Sequence, residues 1–299
     1  MPTANHQPPL AKARRVGLIA GWGRLPITVA NSLRAAGHEV QCLGLKWHCE
    51  EGIRPHVDHF EWLNAARLGD AIRYFRRRGV SQATMCGKFH KVDLYRPWAW
   101  FRYVPDSTFL KTFYPHFIGR RGDRRDDTLL GTFVRAFADA GVEFLPATDF
   151  APELLVKAGT LAGAAPTAAQ LADLEFGWRI AKQMGGLDIG QSICVKDRAV
   201  IAVEAIEGTD ESIRRAGELC KQGGFTVIKV AKPKQDMRFD VPTVGVRTLQ
   251  TMADAGAKVL AIEAGQTILL DDRAFRDFAK RRGLRVVAID MSRHARHAA

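Results

Sequence analysis

The apolar run from Arg15 to Ala20 (RVGLIA) is followed at once by Gly21-Trp22-Gly23, and from Leu25 to Ala36 apolar residues recur at helical spacing until Gly37. A short strand that passes through a glycine turn into an amphipathic helix opens a βαβ unit. Such a unit commits the chain to a parallel sheet with helices laid across it. The alternation continues: Val40 to Leu45 reads as a second strand, Ala66 to Arg78 as a helix closed by Gly79, and Ala83 to Cys86 as a third strand before Gly87. The expected fold is α/β in two domains, a Rossmann-like N-terminal parallel sheet and a distinct mixed α/β C-terminal domain.

The length permits two domains: 299 residues, 46% of them hydrophobic, are enough for two ordinary cores. No apolar run approaches the roughly 18 residues that would read as a membrane span. The net charge of +12 is uneven. Residues 1–150 carry 22 Lys and Arg against 14 Asp and Glu, and the remainder 22 against 18. An anionic partner is therefore expected at the first half, and charge alone does not choose among nucleic acid, an anionic membrane surface and a phosphorylated substrate. The five cysteines are scattered and never spaced C-x-x-C, which fits a reduced compartment and no zinc site of standard spacing. The opening MPTANHQPPL lacks the apolar core of a signal peptide, so residues 1–14 are expected to be a disordered leader.

The first domain is expected over 15–150, with a helix at Asp127 to Ala140 and a strand at Val142 to Leu145. Small, uncharged residues from Gly159 to Pro166 mark a linker over 151–166, and the second domain follows over 167–299. There a helix from Thr167 to Met184 precedes two β-rich runs, Gln191 to Val195 and Ala199 to Ala205, whose separator Lys196-Asp197-Arg198 signals a hairpin. Helices at Asp210–Lys221, Val244–Ala255 and Arg273–Arg282 then alternate with strands at Phe225–Val230, Lys258–Ile262, Thr267–Leu270 and Leu284–Ile289. One stretch fits no period. Phe89 to Phe117 holds 10 of the 26 aromatics, interleaved with Lys91, Arg96, Arg102 and Lys111 and broken by three prolines. Aromatic and basic residues in this mixture stack on single-stranded nucleic acid, settle at a membrane interface, or fill a core or a homodimer contact.

Several segments carry chemistry. Gly21-x-Gly23 after a strand is a turn whose backbone N–H groups can approach a phosphate at a helix N-terminus, although Pro26 stands where the third glycine of the dinucleotide fingerprint belongs. The second strand ends in Leu45-Lys46, without the acid that a ribose would need. Gly87-Lys88 lies at the carboxyl edge of the expected sheet, where ligands bind in open α/β folds. Arg124-Arg125-Asp126-Asp127 opens a helix, as acids commonly do, and also offers a metal or substrate contact. The second half is denser in acids that local structure does not demand. Asp188-Ile189-Gly190-Gln191, Glu204, and Glu207-Gly208-Thr209-Asp210 flank the hairpin, and Gln235-Asp236-x-Arg238-x-Asp240-x-Pro242-Thr243 lies in a loop beside Lys232 and Lys234. Carboxylates beside lysine and arginine mix magnesium-binding with phosphate-binding chemistry.

Read in order, GLIAGWGRLP (Gly17 to Pro26), Gly87-Lys88, Asp126-Asp127-x-Leu129-Leu130, Asp188-Ile189-Gly190-Gln191, VEAIEGTD (Val203 to Asp210), KPKQDMRFDVPTVG (Lys232 to Gly245) and Glu263-Ala264-Gly265 span nearly the whole chain. Together they resemble the UDP-2,3-diacylglucosamine pyrophosphatases of the LpxI type. Two departures stand out: Trp22 replaces a glycine common in the family, and Arg125 replaces the glycine before the Asp-Asp pair. The resemblance implies a cytoplasmic, magnesium-dependent enzyme of lipid A biosynthesis that cleaves a pyrophosphate to UMP and 2,3-diacylglucosamine 1-phosphate.

It also implies roles. Asp240, in the D-x-P-T motif, matches the family's essential aspartate, with Asp188 and Lys232 beside it in catalysis. Glu204, Glu207 and Asp210 would join Asp240 around Mg²⁺. Gly21, Gly23, Lys88, Asp127, Gln191, Thr209, Gln235, Arg238 and Thr243 would contact the lipid-linked nucleotide sugar. The basic, aromatic stretch would then meet the cytoplasmic face of the inner membrane rather than nucleic acid. A nucleotide-cofactor oxidoreductase and a basic nucleic-acid-binding protein are the alternatives that composition and the glycine turn leave open.

Overall fold

The computed structural model describes residues 14–88, 103–117, 126–233, 235–238 and 241–290. The chain divides into two compact units: the first takes the described residues up to Ala151 together with Met237 and Arg238, and the second takes the other described residues from Pro152 on. In the first, strands β1 (Arg15–Ala20), β2 (Glu39–Leu45), β3 (His59–Leu63), β4 (Gln82–Cys86) and β5 (Glu143–Phe144) form one sheet in the order β3-β2-β1-β4-β5, every pairing parallel. This is the doubly wound order, which reverses direction between β1 and β4. Among the described residues it also holds helices α1 (Leu25–Ala35), α2 (Leu68–Arg77), α3 (Ser107–Phe117), α4 (Asp126–Asp139) and the single turn α5 (Ala147–Phe150).

The continuous burial of Val16 to Ala20 is what a central parallel strand requires, since both of its faces are covered. Gly17 has a packing reason. A Cβ there would stand 2.8 Å from the Phe75 ring, so the glycine lets α2 seat its phenylalanine on β1. Phe75 in turn meets Phe137 with ring centres 6.0 Å apart, and Phe137 meets Phe144 edge-on at 4.9 Å. Strand β3 was not expected from the sequence. Its residues HFEWL are partly exposed because the strand lies at the sheet edge, paired only to β2. Helix α3 shows that the last part of the aromatic stretch is helical; residues 89–102 lie outside the described residues.

The second unit is a mixed sheet in the order β6-β13-β11-β9-β7-β8, built from β6 (Gly159–Ala162), β7 (Ser192–Lys196), β8 (Ala199–Val203), β9 (Thr226–Lys229), β11 (Val259–Glu263) and β13 (Arg285–Ile289). β9, β11 and β13 run parallel, whereas β6, and the β7–β9 and β7–β8 pairs, are antiparallel. The expected hairpin is β7–β8. The expected linker is corrected: within 151–166 lies β6, an edge strand whose small residues make it look like a connection. Strands β10 (Thr243–Val244) and β12 (Ile268–Leu269) pair separately.

Helix α6 (Ala168–Gly186) starts on a reciprocal cap in which Gln170 N donates to Thr167 Oγ1 and Thr167 N donates to Gln170 Oε1. It covers one sheet face, packing Leu174, Trp178 and Ala181 against Ile228, Ala261 and Val287. Gly177 allows this approach, for a Cβ there would fall 2.6 Å from Ile228. Helices α7 (Thr209–Leu219), α8 (Val246–Ala255) and α9 (Asp272–Arg281) supply Ile213, Leu249 and Phe275 to a second core with Val227, Leu260 and Val286. Alternation along the strands thus assigns Ile228 and Ala261 to the α6 side and Val227 and Leu260 to the other.

Candidate active site

In the first unit the reversal between β1 and β4 is closed by backbone. Gly21 N donates to Cys86 O, Trp22 N to Lys88 O and Lys88 N to Trp22 O, each at 2.9 Å. A Cβ on Gly21 would lie 2.8 Å from Lys88 O, and one on Gly87 would lie 2.7 Å from the Gly21 carbonyl carbon. The two glycines are therefore needed so that two turns can touch. This revises the phosphate reading of the turn, because the N–H groups of Gly21 and Trp22 are spent within the chain. Gly23, at φ +100° with open space around it, is the part of the turn that still faces outward. Lys88 is exposed at the carboxyl edge of β4.

A cavity of about 280 Å³ lies beside that edge, at the ends of β2 and β3, lined by Lys46, Trp62, Asn64, Arg67, Asp70 and Val104. Arg67 donates to Asp70 at 2.5 Å, and this hydrogen bond holds the Asp70 carboxyl below its ordinary range. Sequence reasoning missed this cavity, since β3 was not expected.

In the second unit the parallel strands β9 and β11, together with β8, end at one edge, where Glu204 and Thr209, two of the residues anticipated from the sequence, lie together. Glu204 follows β8 and is 8% exposed. Its Oε1 accepts from Thr209 Oγ1 at 2.9 Å. That hydroxyl also accepts from Lys229 Nζ at 3.1 Å and lies 3.3 Å from Ser192 Oγ, whose proton is the one left to bridge them. Lys229, 7% exposed, reaches the Thr243 carbonyl as well, at 3.4 Å. Gly190 of the Asp188–Gln191 segment is required here. A Cβ would fall 2.1 Å from Glu204 O, and this close approach accompanies the bond from Glu204 N to Ser192 O. Thr209 is the first residue of α7, with Gly208 rather than a side chain at the cap.

The other acids are engaged elsewhere. Asp188 accepts from Lys232 Nζ at 2.7 Å, Glu207 pairs with Arg215 at 2.8 Å, and Asp210 pairs with Arg247 at 3.1 Å. Gln191 lends its carbonyl to Val230 N. Gln235 closes a turn on Lys232, accepting from Lys232 N and donating its own N–H to Lys232 O. Thr243 starts β10, and α8 begins after Gly245. Arg238 is half-buried in the same loop. Asp240 lies outside the described residues, as do Lys234 and the side chain of Asp127, whose backbone is in the first turn of α4.

Among the described residues no three His, Cys, Asp or Glu side chains come together as a metal site. Glu204 Oε2 nevertheless is buried and has no hydrogen-bond partner among them. An orphaned carboxylate oxygen is costly unless a cation or water meets it. The chemistry of that one oxygen fits a hard cation or a bound water.

Two residues of this edge were not anticipated. Lys229 sits at the end of an apolar strand. Lys182, on α6, donates to both Glu263 oxygens at 2.8 and 2.7 Å and to Ala231 O at 2.8 Å. Only Glu263, through Glu263-Ala264-Gly265, was flagged by sequence.

Comparison with known proteins agrees with this two-unit layout. The family model described as LpxI N-terminal domain matches residues 15–154, and that described as LpxI C-terminal domain matches 157–287. The chain is also similar to UDP-2,3-diacylglucosamine pyrophosphatase LpxI of Caulobacter vibrioides, with 29% identity over 286 residues, 93% of this chain and 98% of the relative.

Proposed function

The chain belongs to the LpxI family, and from that premise we propose that it is a hydrolase which cleaves the pyrophosphate of UDP-2,3-diacylglucosamine to UMP and 2,3-diacylglucosamine 1-phosphate in lipid A biosynthesis. The observation that carries this reading is the end-to-end similarity to the Caulobacter vibrioides protein of that name. Water adds across one P–O–P bond, so one phosphorus gains the oxygen and each product leaves as a phosphate monoester. A pyrophosphate repels nucleophiles by its own charge, and the chain must lower that charge before water can attack.

Asp240 is assigned the task of orienting the attacking water. Lys232, Arg238 and Lys88 supply positive charge for phosphate oxygens. Thr209, with its proton on Glu204 and its lone pairs filled by Lys229 and Ser192, fixes the Glu204 carboxylate in one orientation. Magnesium is part of the proposal: Glu204 and Asp240 would hold it, and when bound it would neutralise charge on the phosphoryl oxygens. The cavity lined by Lys46, Trp62 and Asn64 is read as the place for the nucleotide, with Lys46 supplying positive charge.

The diacyl substrate favours work at the cytoplasmic face of the inner membrane. No described helix is long and apolar enough to cross a membrane. Helix α3 instead turns Leu110 (55% exposed) and Tyr114 (58%) outward with Lys111 between them, a face suited to an anionic bilayer surface. Mixing purified protein with UDP-2,3-diacylglucosamine should release UMP with Mg²⁺ and none with EDTA. Turnover that ignores EDTA would remove magnesium from the account, and absence of UMP release would remove the reaction. Sedimentation with anionic vesicles should fall after Leu110→Asp/Tyr114→Asp; equal binding would refute the α3 surface.

A further inference from the structure

We propose that Lys182 and Lys229 are positioning residues that clamp the two roots of the loop 231–242, one from each face of the sheet. The inference rests on reading Asp240, within that loop, as the catalytic carboxylate. Strand β9 ends at Lys229, whose backbone is opposite Ile262 in the last rung of its ladder with β11. Beyond Val230, whose N–H still donates to Gln191 O, the chain leaves the sheet and its backbone groups need other partners.

At the first root a single ion pair supplies those partners. Glu263 Oε2 accepts from Ala231 N at 2.8 Å, and Lys182 Nζ donates to Ala231 O at 2.8 Å while holding both Glu263 oxygens. Both polar groups of one loop residue are thus captured by two side chains that are themselves joined. Lys182 comes from α6 and Glu263 projects to that same face, one strand position pair beyond Ala261. Lys232, next in the chain, is tied to Asp188 and Gln235.

At the second root the device is repeated from the opposite face. Lys229 Nζ donates to Thr243 O and to Thr209 Oγ1, on the side where α7 packs. Pro242 O accepts from Ile268 N at 2.8 Å, so the returning chain is held by backbone as well. Neither lysine is an exposed side chain reaching for a ligand. Each donates to a carbonyl at a root of the loop, and the partly buried Lys182–Glu263 pair is of a kind that returns little net stability. Their consequence is the path of the loop, and a reacting group displaced by about 1 Å can cost on the order of 100-fold in rate.

The test uses full-length Lys182→Met, Lys229→Met and the double variant Lys182→Met/Glu263→Gln, which leaves no unpaired charge if the single variant fails to fold. Lys182→Arg serves as the conservative rescue. Hydrogen exchange over residues 231–243 and the kcat and KM for UDP-2,3-diacylglucosamine are measured together. The expected result is faster exchange confined to 231–243, a kcat lower by roughly 10- to 100-fold, KM within about threefold of wild type, and partial recovery in Lys182→Arg. Unchanged exchange over 231–243, or faster exchange there with wild-type kcat, would overturn the clamp. So would loosening of β9 and β11 together with the loop, which marks a role in the fold alone. Asp240→Asn, assayed alongside, separates the two readings: full activity in that variant overturns the catalytic assignment, whereas the exchange data judge the clamp independently.

Discussion

Replacing Thr209 by valine keeps the volume of the side chain and removes one oxygen, which makes it the cleanest perturbation of the Glu204 cluster. That oxygen donates to Glu204 at 2.9 Å, accepts from Lys229 at 3.1 Å and lies 3.3 Å from Ser192 Oγ. Hydrogen bonds to charged partners are worth roughly 1.5–3 kcal/mol each, and two are lost. Partial rearrangement of Lys229 toward Thr243 O returns some of this, so the expected cost is about 3 kcal/mol. For a unit of about 150 residues that loss lowers Tm by roughly 6–12 °C. Thr209→Ser keeps the hydroxyl, and its cost should stay near 1 kcal/mol, about the value of one buried methyl group. Calorimetry of the three proteins at pH 7 reads the difference directly. A valine variant melting within 2 °C of the serine variant would refute the cluster as a set of real hydrogen bonds.

Other consequences follow from the same geometry. Gly190→Ala places a Cβ against a backbone oxygen that cannot swing aside, so it should cost 1–3 kcal/mol or more in urea unfolding and lower activity with it; a neutral result would mean the segment does not approach Glu204. Burial pushes the Cys194 thiol up to about 12 and moves Cys42 in the same direction. Both should therefore resist a thiol reagent at pH 8 until the protein is unfolded, and rapid labelling of either in the native state would contradict the packing. Asp70, held below its ordinary range by Arg67, contributes stability that is present above the unfolded carboxylate value near 4 and is lost as pH falls through the lower folded value. The Tm gap between wild type and Asp70→Asn should accordingly be largest near neutrality and close in strong acid; a gap constant with pH would exclude the ion pair as its source.

What could be read from the sequence depended on local signals. Gly21-x-Gly23 with Pro26 marked the first strand and helix, and Lys196-Asp197-Arg198 marked the hairpin, because turns and caps are written in adjacent residues. The edge strands β3 and β6 escaped for a shared reason. Each pairs on one side only and is partly exposed, so neither shows the apolar run of a buried strand. Lys229 and Lys182 escaped differently. Each reads as an ordinary charge at a strand end or on a helix, and only pairing between residues 49 and 81 positions apart in sequence gives Lys182 its partners. The acids were recognised by density, yet their tertiary partners divide them: Glu207 and Asp210 go to Arg215 and Arg247, while Glu204 is the one that turns inward.

The proposed role of Asp240 is to carry the hydrolysis of UDP-2,3-diacylglucosamine. Its most direct test compares UMP release by wild-type and Asp240→Asn protein at saturating Mg²⁺, with circular dichroism confirming that both are folded. The asparagine variant, still folded, should lose on the order of 1000-fold or more in kcat, the scale expected when an acid–base or transition-state group is removed. A folded Asp240→Asn protein that releases UMP at the wild-type rate would contradict that role.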